Sequence, residues 1–158
     1  MSESMQVKHN TSTEVEILEH LRRVDSLFVP TLSSRVTLGE YSRKLRAFGE
    51  TIELWSGASI VGLVAGYVNG NGSRSFLSSV SIESQLWGQG WGRRLLIDLI
   101  DLSRSVQSDS LDLEVSESSF QAVSMYRSLG FTVENRTPEG MYLMSLNLRF
   151  EVAISYEC

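Results

Sequence analysis

The spacing of apolar residues in the first fifty positions predicts two amphipathic helices. Apolar residues recur there every three or four positions, which is the period of a helix with one buried face. Ser12 or Thr13 can cap the first helix, whose predicted apolar stripe is Val15, Leu18, Leu21 and Val24. Thr37 and Glu40 have the spacing of a capping box for the second helix, which is expected to end near Gly49.

Runs of apolar and β-branched residues then predict three strands joined by short turns. The runs 51–55 and 59–68 flank Ser56-Gly57, and Asn69–Ser73 separates them from a third run at 74–82. Strands joined by such short turns are antiparallel neighbours. Met5 to His9 is a further, weaker strand at the start of the chain.

The second half of the chain alternates between helical and strand patterns. A helix follows residue 92, and a strand is predicted at 110–115. A helix at 118–129 ends at Gly130, and strands follow at 131–134 and 141–148. The strand–helix–strand passage from residue 76 to 115 requires a parallel crossover. The expected fold class is therefore α/β (α+β), with a mixed, mostly antiparallel sheet of six to seven strands and helices on both faces.

Composition narrows the classes of function. The length of 158 residues and an apolar content of 42% predict one domain, residues 1–158, with a single core. A net charge of −5 argues against nucleic acid or a membrane surface as the main partner. The chain has one cysteine, and it has no apolar run long enough to span a membrane. Its N-terminus is polar and lacks a signal-peptide pattern, so the cytoplasm is the expected location. No metal site is expected.

The stretch Leu86–Leu96, which reads LWGQGWGRRLL, carries the most specific chemical signal. Its three glycines let the backbone turn sharply and approach a ligand, and they lead into a helix whose first N–H groups favour an anion. Arg93 and Arg94 lie in the first helical turn, where a bound polyanion would offset their unfavourable position. The dinucleotide fingerprint lacks its third glycine here, and the P-loop lacks its Lys-Ser/Thr ending.

This glycine turn, at the start of a helix in mid-chain, resembles the pyrophosphate loop of the GNAT acetyltransferases. A second landmark of that family, an asparagine, alanine and tyrosine at helical spacing followed by Gly-Phe, is similar to Ser119, Ala122, Tyr126 and Gly130-Phe131. The resemblance covers roughly residues 50–148 and points to a small-molecule or amino-sugar type, with the subfamily open. It departs from the family pattern at Trp87, where glutamine or arginine is usual, and at Ser119.

The resemblance implies that acetyl-CoA is the co-substrate. Its pantetheine arm would pair with the backbone at the end of the third strand, and the amide of Val80 would face the thioester oxygen. Its pyrophosphate would rest on the amides of the glycine turn. The implied coenzyme-binding residues are Val80, Ser81, Ile82, Trp87, Gly88, Gln89, Gly90, Trp91, Gly92, Arg93, Ser119 and Tyr126.

The resemblance also implies the catalytic roles. Tyr126 would protonate the leaving thiolate as the general acid. The glutamate that some relatives carry early in the third strand falls near Phe76 here, which leaves Glu114 as the best candidate base and Glu83 as a weaker one. The expected acceptor-binding residues are Phe28, Ser33, Arg35, Tyr41 and Tyr142.

Several alternatives remain open from the sequence. The acceptor is expected to be the primary amine of a small molecule, while an amino acid, an aminoglycoside, a nucleotide-linked amino sugar and a protein N-terminus all fit. A catalytically silent acyl-CoA-binding or regulatory module would share the same motifs, and a nucleotide-binding protein is a more distant alternative. The alternation of Leu146, Leu148, Phe150, Val152 and Ile154 predicts a long last strand that joins two subunits as a homodimer.

Overall fold

The computed structural model of the protein describes residues 4–149, which form four helices and seven strands. The helices are α1 (Glu14–Val24), α2 (Leu38–Phe48), α3 (Trp91–Ser105) and α4 (Phe120–Ser128). The strands are β1 (Met5–His9), β2 (Glu50–Ser56), β3 (Ser59–Tyr67), β4 (Arg74–Ile82), β5 (Ser110–Ser116), β6 (Thr132–Arg136) and β7 (Met141–Asn147). Short 3-10 helices occupy Asp25–Leu27, Leu32–Ser34 and Ser84–Leu86.

The predicted mixed sheet is confirmed. Seven strands follow the order β1-β2-β3-β4-β5-β7-β6. The pairs β1/β2, β2/β3, β5/β7 and β6/β7 are antiparallel, and β4 and β5 form the expected parallel pair. In the described residues this parallel ladder covers Arg74–Phe76, so it ends well before β4 itself ends at Ile82.

The chain divides into two compact units. The first comprises the described residues up to Tyr67 together with Ser79–Leu99, and the second comprises Val68–Ser78 together with the described residues from Ile100 onward. The expectation of a single domain over residues 1–158 stays a prediction.

In the first unit, α1 packs against α2 and β3 around an apolar core. Ile17, Leu21 and Val24 form the buried stripe of α1 and meet Leu45 of α2. The prediction that Val15 belongs to this stripe is wrong, because its side chain is 61% exposed. The buried face starts at Ile17 instead, and residues 17, 20, 21 and 24 follow the helical period.

The two predicted helix caps have different outcomes. Thr13 caps α1 with a complete capping box: its hydroxyl accepts from the N–H of Glu16, and the Glu16 carboxylate accepts from the N–H of Thr13. The capping box predicted at Thr37 is wrong, because the Thr37 side chain makes no capping hydrogen bond. The start of α2 is held instead by the backbone bond from the Tyr41 N–H to the Thr37 carbonyl, at 2.9 Å.

A buried carboxylate joins the start of α1 to the sheet. Glu53 of β2 is fully buried and accepts hydrogen bonds from the hydroxyls of Thr11, Ser12 and Thr51 at 2.6–2.7 Å. The indole N–H of Trp55 and the backbone N–H groups of Thr11 and Ser12 add longer bonds, each at 3.2 Å. Burial opposes ionisation of Glu53, but these donors outweigh it, and the net effect lowers the pKa of this carboxyl.

In the second unit, β5 lies between β4 and β7, and polar side chains connect neighbouring strands. The Asp112 carboxylate accepts from the Ser145 hydroxyl at 2.6 Å and pairs with Arg74 at 2.8 Å. At the other end of this sheet region, Arg136 of β6 forms a two-pronged ion pair with Glu117, at 2.5 and 2.8 Å. These contacts join β5 to β4 and β7, and they connect β6 to the residue that follows β5.

The last strand is shorter in the described residues than the alternation predicts. β7 ends at Asn147, with Leu146 and Leu148 buried. Phe150, Val152 and Ile154 lie outside the described residues, so the homodimer through this segment stays a prediction. No helix within residues 4–149 combines the length and the apolar character needed to cross a membrane.

We expect Glu53→Gln to lower the free energy of unfolding by about 3 kcal/mol at pH 7, because a neutral amide cannot accept from every donor aimed at the carboxylate. Since the folded-state pKa of Glu53 is lowered, its stabilisation is fully present above the unfolded value of 4.5 and is lost as the pH falls through the folded value. Urea unfolding at pH 7 and below pH 4 measures both effects.

Glu19→Gln is the matched control for this variant. Glu19 is an exposed carboxylate on α1, so its replacement should change the free energy of unfolding by less than about 0.5 kcal/mol. The stability gap between the wild type and Glu53→Gln should narrow in acid. A gap that is absent at pH 7, or that is the same at both pH values, contradicts the assigned role of the ionised carboxylate.

Candidate functional site

The glycine turn between β4 and α3 has the backbone geometry that the sequence predicts. Gly88 and Gly90 have φ angles of +82° and +83°, in the left-handed region that residues with a side chain rarely adopt. A Cβ atom added at either position would meet no atom within 4 Å. The backbone conformation, rather than crowding, is therefore what requires glycine at these two positions.

The turn delivers the chain into α3 with its first amides open. The first helical bond runs from the Arg94 N–H to the Gly90 carbonyl at 3.0 Å, so the amides of Trp91 and Gly92 precede the intrahelical ladder. They lie at the positive end of the helix dipole. Arg93 and Arg94 are both exposed here, and Arg94 approaches Asp98 at 3.8 Å. This arrangement suits a polyanion such as a diphosphate.

Trp87 braces the entrance to the turn. Its indole N–H donates to the Ile82 carbonyl, the last residue of β4, at 2.8 Å, while the side chain remains 56% exposed. Trp87, which differs from the family pattern, therefore has a structural role. Its indole connects the end of β4 to the start of the glycine turn, and the aromatic ring remains exposed.

The end of β4 is connected to α1 by a contact between Ser81 and His20 that the sequence did not predict. The hydroxyl of Ser81 lies 2.8 Å from Nε2 of His20, and Nδ1 of His20 lies 3.2 Å from the carbonyl of Ile60. A carbonyl only accepts, so the proton is on Nδ1, and Nε2 accepts from Ser81. The signal in the sequence was the helical spacing that places His20 on the buried face of α1 with Ile17 and Val24.

Burial keeps His20 neutral. It lowers the pKa of this imidazole from 6.5 to about 4, with the nearby Arg23 acting in the same direction. Arg23 donates to the Ile60 carbonyl at 2.8 Å and approaches the Glu83 carboxylate at 3.4 Å. A neutral His20 acts near pH 7 as a fixed acceptor that orients the Ser81 hydroxyl. It accepts this hydrogen bond, but its low basicity makes it a poor general base.

Tyr126 in the second unit is positioned by the way α4 ends. Gly130 has a φ of +102°, its N–H bonds to the Arg127 carbonyl, and the Phe131 N–H bonds to the Tyr126 carbonyl at 3.1 Å. These two bonds form a Schellman motif, whose usual apolar contact is present because the Tyr126 and Phe131 rings lie 5.7 Å apart. The tyrosine, glycine and phenylalanine of the sequence landmark thus act together as the C-terminal cap of α4.

Tyr126 keeps its proton over the physiological range. The side chain is only 7% exposed, and this burial raises its pKa well above 10.0. A buried neutral phenol can donate a proton to a developing anion. The geometry therefore leaves the predicted acid in its protonated form.

The other predicted residues of the second unit lie at the start of α4, on β5 and on β7. Ser119 is the N-cap residue of α4, but its side chain makes no capping bond. Glu114 is exposed on β5, opposite Leu143 of β7. Tyr142 is half-buried and pairs in register with Val115 and with Arg136.

The predicted acceptor residues of the first unit lie along the connection between α1 and α2. Phe28 and Tyr41 are half-buried and pack against the apolar core. Ser33 is engaged within the connection, because its N–H and its hydroxyl both donate to Asp25, at 2.7 and 2.6 Å. These bonds lower the pKa of Asp25, and they use the polar groups of Ser33 for loop structure. Arg35 is exposed just beyond them.

Several solved structures share the fold of this chain. An acetyltransferase of the GNAT family from Staphylococcus aureus Mu50 matches with a TM-score of 0.73 at 16% identity, covering 92% of this chain and 99% of that one. The ribosomal-protein-S18-alanine N-acetyltransferase of Escherichia coli gives 0.73 at 19%, with 92% and 94% covered. A structure of yncA from Salmonella typhimurium with its cofactor acetyl-CoA gives 0.70 at 17%, with 92% and 94% covered.

Sequence comparison agrees with this likeness. The N-acetyltransferase YvbK of Bacillus subtilis strain 168, itself uncharacterized, is 21% identical over 86 residues, or 54% of this chain. The match spans 55% of YvbK, about half of that curated relative. The family model described as Acetyltransferase (GNAT) family matches residues 16–131. Since this match spans well over half of the chain, the protein belongs to the GNAT acetyltransferase family.

Proposed function

We propose that the protein is an N-acetyltransferase that transfers the acetyl group of acetyl-CoA to the primary amine of a small acceptor. The observation that carries this proposal is the glycine turn, whose left-handed glycines lead into the open amides of α3. Membership of the GNAT family gives this anion site its expected ligand, the pyrophosphate of the coenzyme.

The coenzyme-binding residues that we propose in the first unit form one continuous stretch of backbone. Gly88, Gln89, Gly90, Trp91 and Gly92 would supply amides to the pyrophosphate, with Arg93 as the neighbouring cation. Val80, Ser81 and Ile82 would pair with the pantetheine arm, and Trp87 would cover it. The early end of the parallel ladder at Phe76 supports this assignment, because that ladder does not use Val80–Ile82.

Bound acetyl-CoA would supply an acetyl group activated as a thioester. The Val80 amide would donate to the carbonyl oxygen as charge builds on it during attack by the amine. Tyr126 would donate its proton to the departing sulfur, which leaves as the free thiol, and Glu114 would accept the proton that the amine loses. Ser119 belongs to the proposed coenzyme-binding set. Phe28, Ser33, Arg35, Tyr41 and Tyr142 form the proposed acceptor-binding set.

The direct test combines coenzyme binding with turnover. Isothermal titration of the full chain with acetyl-CoA should show one site, and release of free thiol should require an amine from a panel of acceptors. Binding without release for any amine would favour the silent acyl-CoA-binding module. Acetylation of a peptide α-amine in preference to every small amine would assign a protein N-terminal acetyltransferase. Absence of coenzyme binding overturns the proposal.

We expect Gly90→Ala to weaken acetyl-CoA binding at least ten-fold, because alanine distorts the left-handed backbone that aims the amides. Gly72→Ala is the matched control. Gly72 has a φ of +80° in the turn before β4, and a Cβ atom there also meets nothing within 4 Å. Both variants should lose similar thermal stability, and only Gly90→Ala should lose affinity in isothermal titration. Equal affinities for the two variants would remove the turn from the coenzyme site.

We expect Tyr126→Phe to lower kcat about 100-fold while the acetyl-CoA Kd changes less than two-fold, because the ring remains and only the acidic proton is lost. Burial raises the pKa of Tyr126, so the wild-type rate should show no falling limb from its ionisation up to pH 9. Steady-state rates between pH 6 and 9 measure both effects. Wild-type kcat in the variant would exclude Tyr126 as the general acid.

A further inference from the structure

Two buried hydroxyl groups of the first unit have no hydrogen-bond partner among the described residues. They are the Oγ atom of Ser79 on β4 and the Oη atom of Tyr67 at the end of β3. Ser79 is only 5% exposed. A buried hydroxyl without a partner is costly and uncommon, so each such group in a native fold needs an explanation, such as a bound water or a ligand.

Both hydroxyls belong to the face of the sheet that α1 and α2 cover. Ser81 of β4 reaches His20 of α1, and Ser79 lies two residues earlier, so its side chain leaves the strand on the same face. Tyr67 packs against the core formed by α1, α2 and β3, and the Lys44 ammonium of α2 lies 5.4 Å from the centre of its ring. The two groups therefore share one side of the first unit.

Ser79 and Ser81, which lie on the same face of β4, differ in their hydrogen bonding. The Ser81 hydroxyl is committed to Nε2 of His20 at 2.8 Å, whereas the Ser79 hydroxyl keeps both its donor and its acceptor capacity. Tyr67 also remains a neutral donor and acceptor, because burial, with Tyr41 nearby, raises the pKa of its phenol. These two hydroxyls can therefore bind a group that donates, accepts or does both, and that group needs no charge.

The core against which Tyr67 packs is apolar. Half-buried side chains that expose one side pack against the same core, namely Phe28, Val36, Leu38, Tyr41 and Tyr67. Such a surface, with a few placed polar groups, is typical of a small-molecule site that selects an apolar ligand and orients it by hydrogen bonds. Phe28 and Tyr41 belong to the acceptor-binding set proposed above, so the hydroxyls lie on the face where the acceptor is expected.

We propose that Ser79 and Tyr67 are the residues that orient the acceptor, and that this acceptor is an amine attached to an apolar or aromatic body with a hydrogen-bonding group next to the amine. This inference rests on the proposed acetyl transfer and deepens it by naming the substrate class. The hydroxyls hold the polar end of the acceptor, and the half-buried apolar side chains contact its body.

The variants Ser79→Ala and Tyr67→Phe test this proposal, because removing a hydroxyl that lacks a protein partner costs the fold nothing. We expect melting temperatures equal to or above the wild-type value. With L-phenylalaninamide as the acceptor, we expect each variant to raise KM about ten-fold while the acetyl-CoA Kd changes less than two-fold. Wild-type kcat/KM should also be at least ten-fold higher for L-phenylalaninamide than for glucosamine.

Ser75→Ala is the matched control on the same strand and face. The Ser75 hydroxyl is buried and is bonded to that of Ser108 at 2.7 Å, so its loss should lower the melting temperature and leave KM unchanged. An unchanged KM in both Ser79→Ala and Tyr67→Phe overturns the proposal and assigns the two hydroxyls to buried water. A preference for glucosamine over L-phenylalaninamide overturns the substrate class.

A second measurement separates this proposal from acetyl transfer itself. If acetyl-CoA binds but no amine is turned over, calorimetric titration of L-phenylalaninamide into the coenzyme A-loaded full chain still reports on the acceptor site. Binding by the wild type that both variants lose supports the assignment of Ser79 and Tyr67. Binding that the variants retain, or no binding by the wild type, contradicts it. Absence of acetyl-CoA binding would instead count against the proposed function.

Discussion

The chain must leave a strand and enter a helix within a few residues while the first amides of that helix stay open. Gly88 and Gly90 meet this constraint by adopting left-handed backbone angles, which a residue with a side chain adopts only at a cost of about 1–2 kcal/mol. Neighbouring contacts hold the approach to the turn. Trp87 donates to the last carbonyl of β4, and His20 of α1 accepts from the Ser81 hydroxyl. The anion site thus follows from backbone geometry that the surrounding side chains fix.

A different local rule positions the proposed general acid. Tyr126, Gly130 and Phe131 are spaced so that one helix ending satisfies two carbonyls and places the Phe131 ring in tilted contact with the Tyr126 ring. The spacing is therefore a requirement of folding as well as of chemistry. A tyrosine held in this way is buried, and burial keeps its proton in place, so the position and the protonation state of Tyr126 have one cause.

Features that depend on local spacing were predictable from the sequence, and features that depend on distant partners were not. The glycine turn, the helix ending at Gly130 and the order of the elements all follow from residues close in sequence. Glu53 and His20 acquire their character from partners about forty or more residues away, such as Ser12, Ile60 and Ser81. Periodicity predicted the first helix correctly but included Val15, at the edge of its buried face, which is exposed. The capping pattern predicted the start of the second helix correctly, but the Thr37 side chain makes no capping hydrogen bond there.

The central claim is that the backbone amides of the glycine turn bind the diphosphate of acetyl-CoA. Amide proton signals from NMR of the ¹⁵N-labelled full chain, titrated with acetyl-CoA, test it most directly. The account predicts large shifts and slowed hydrogen exchange for Gly88, Gly90 and Gly92, with Gly72 unchanged. Saturable coenzyme binding that leaves the three turn amides unaffected would contradict it.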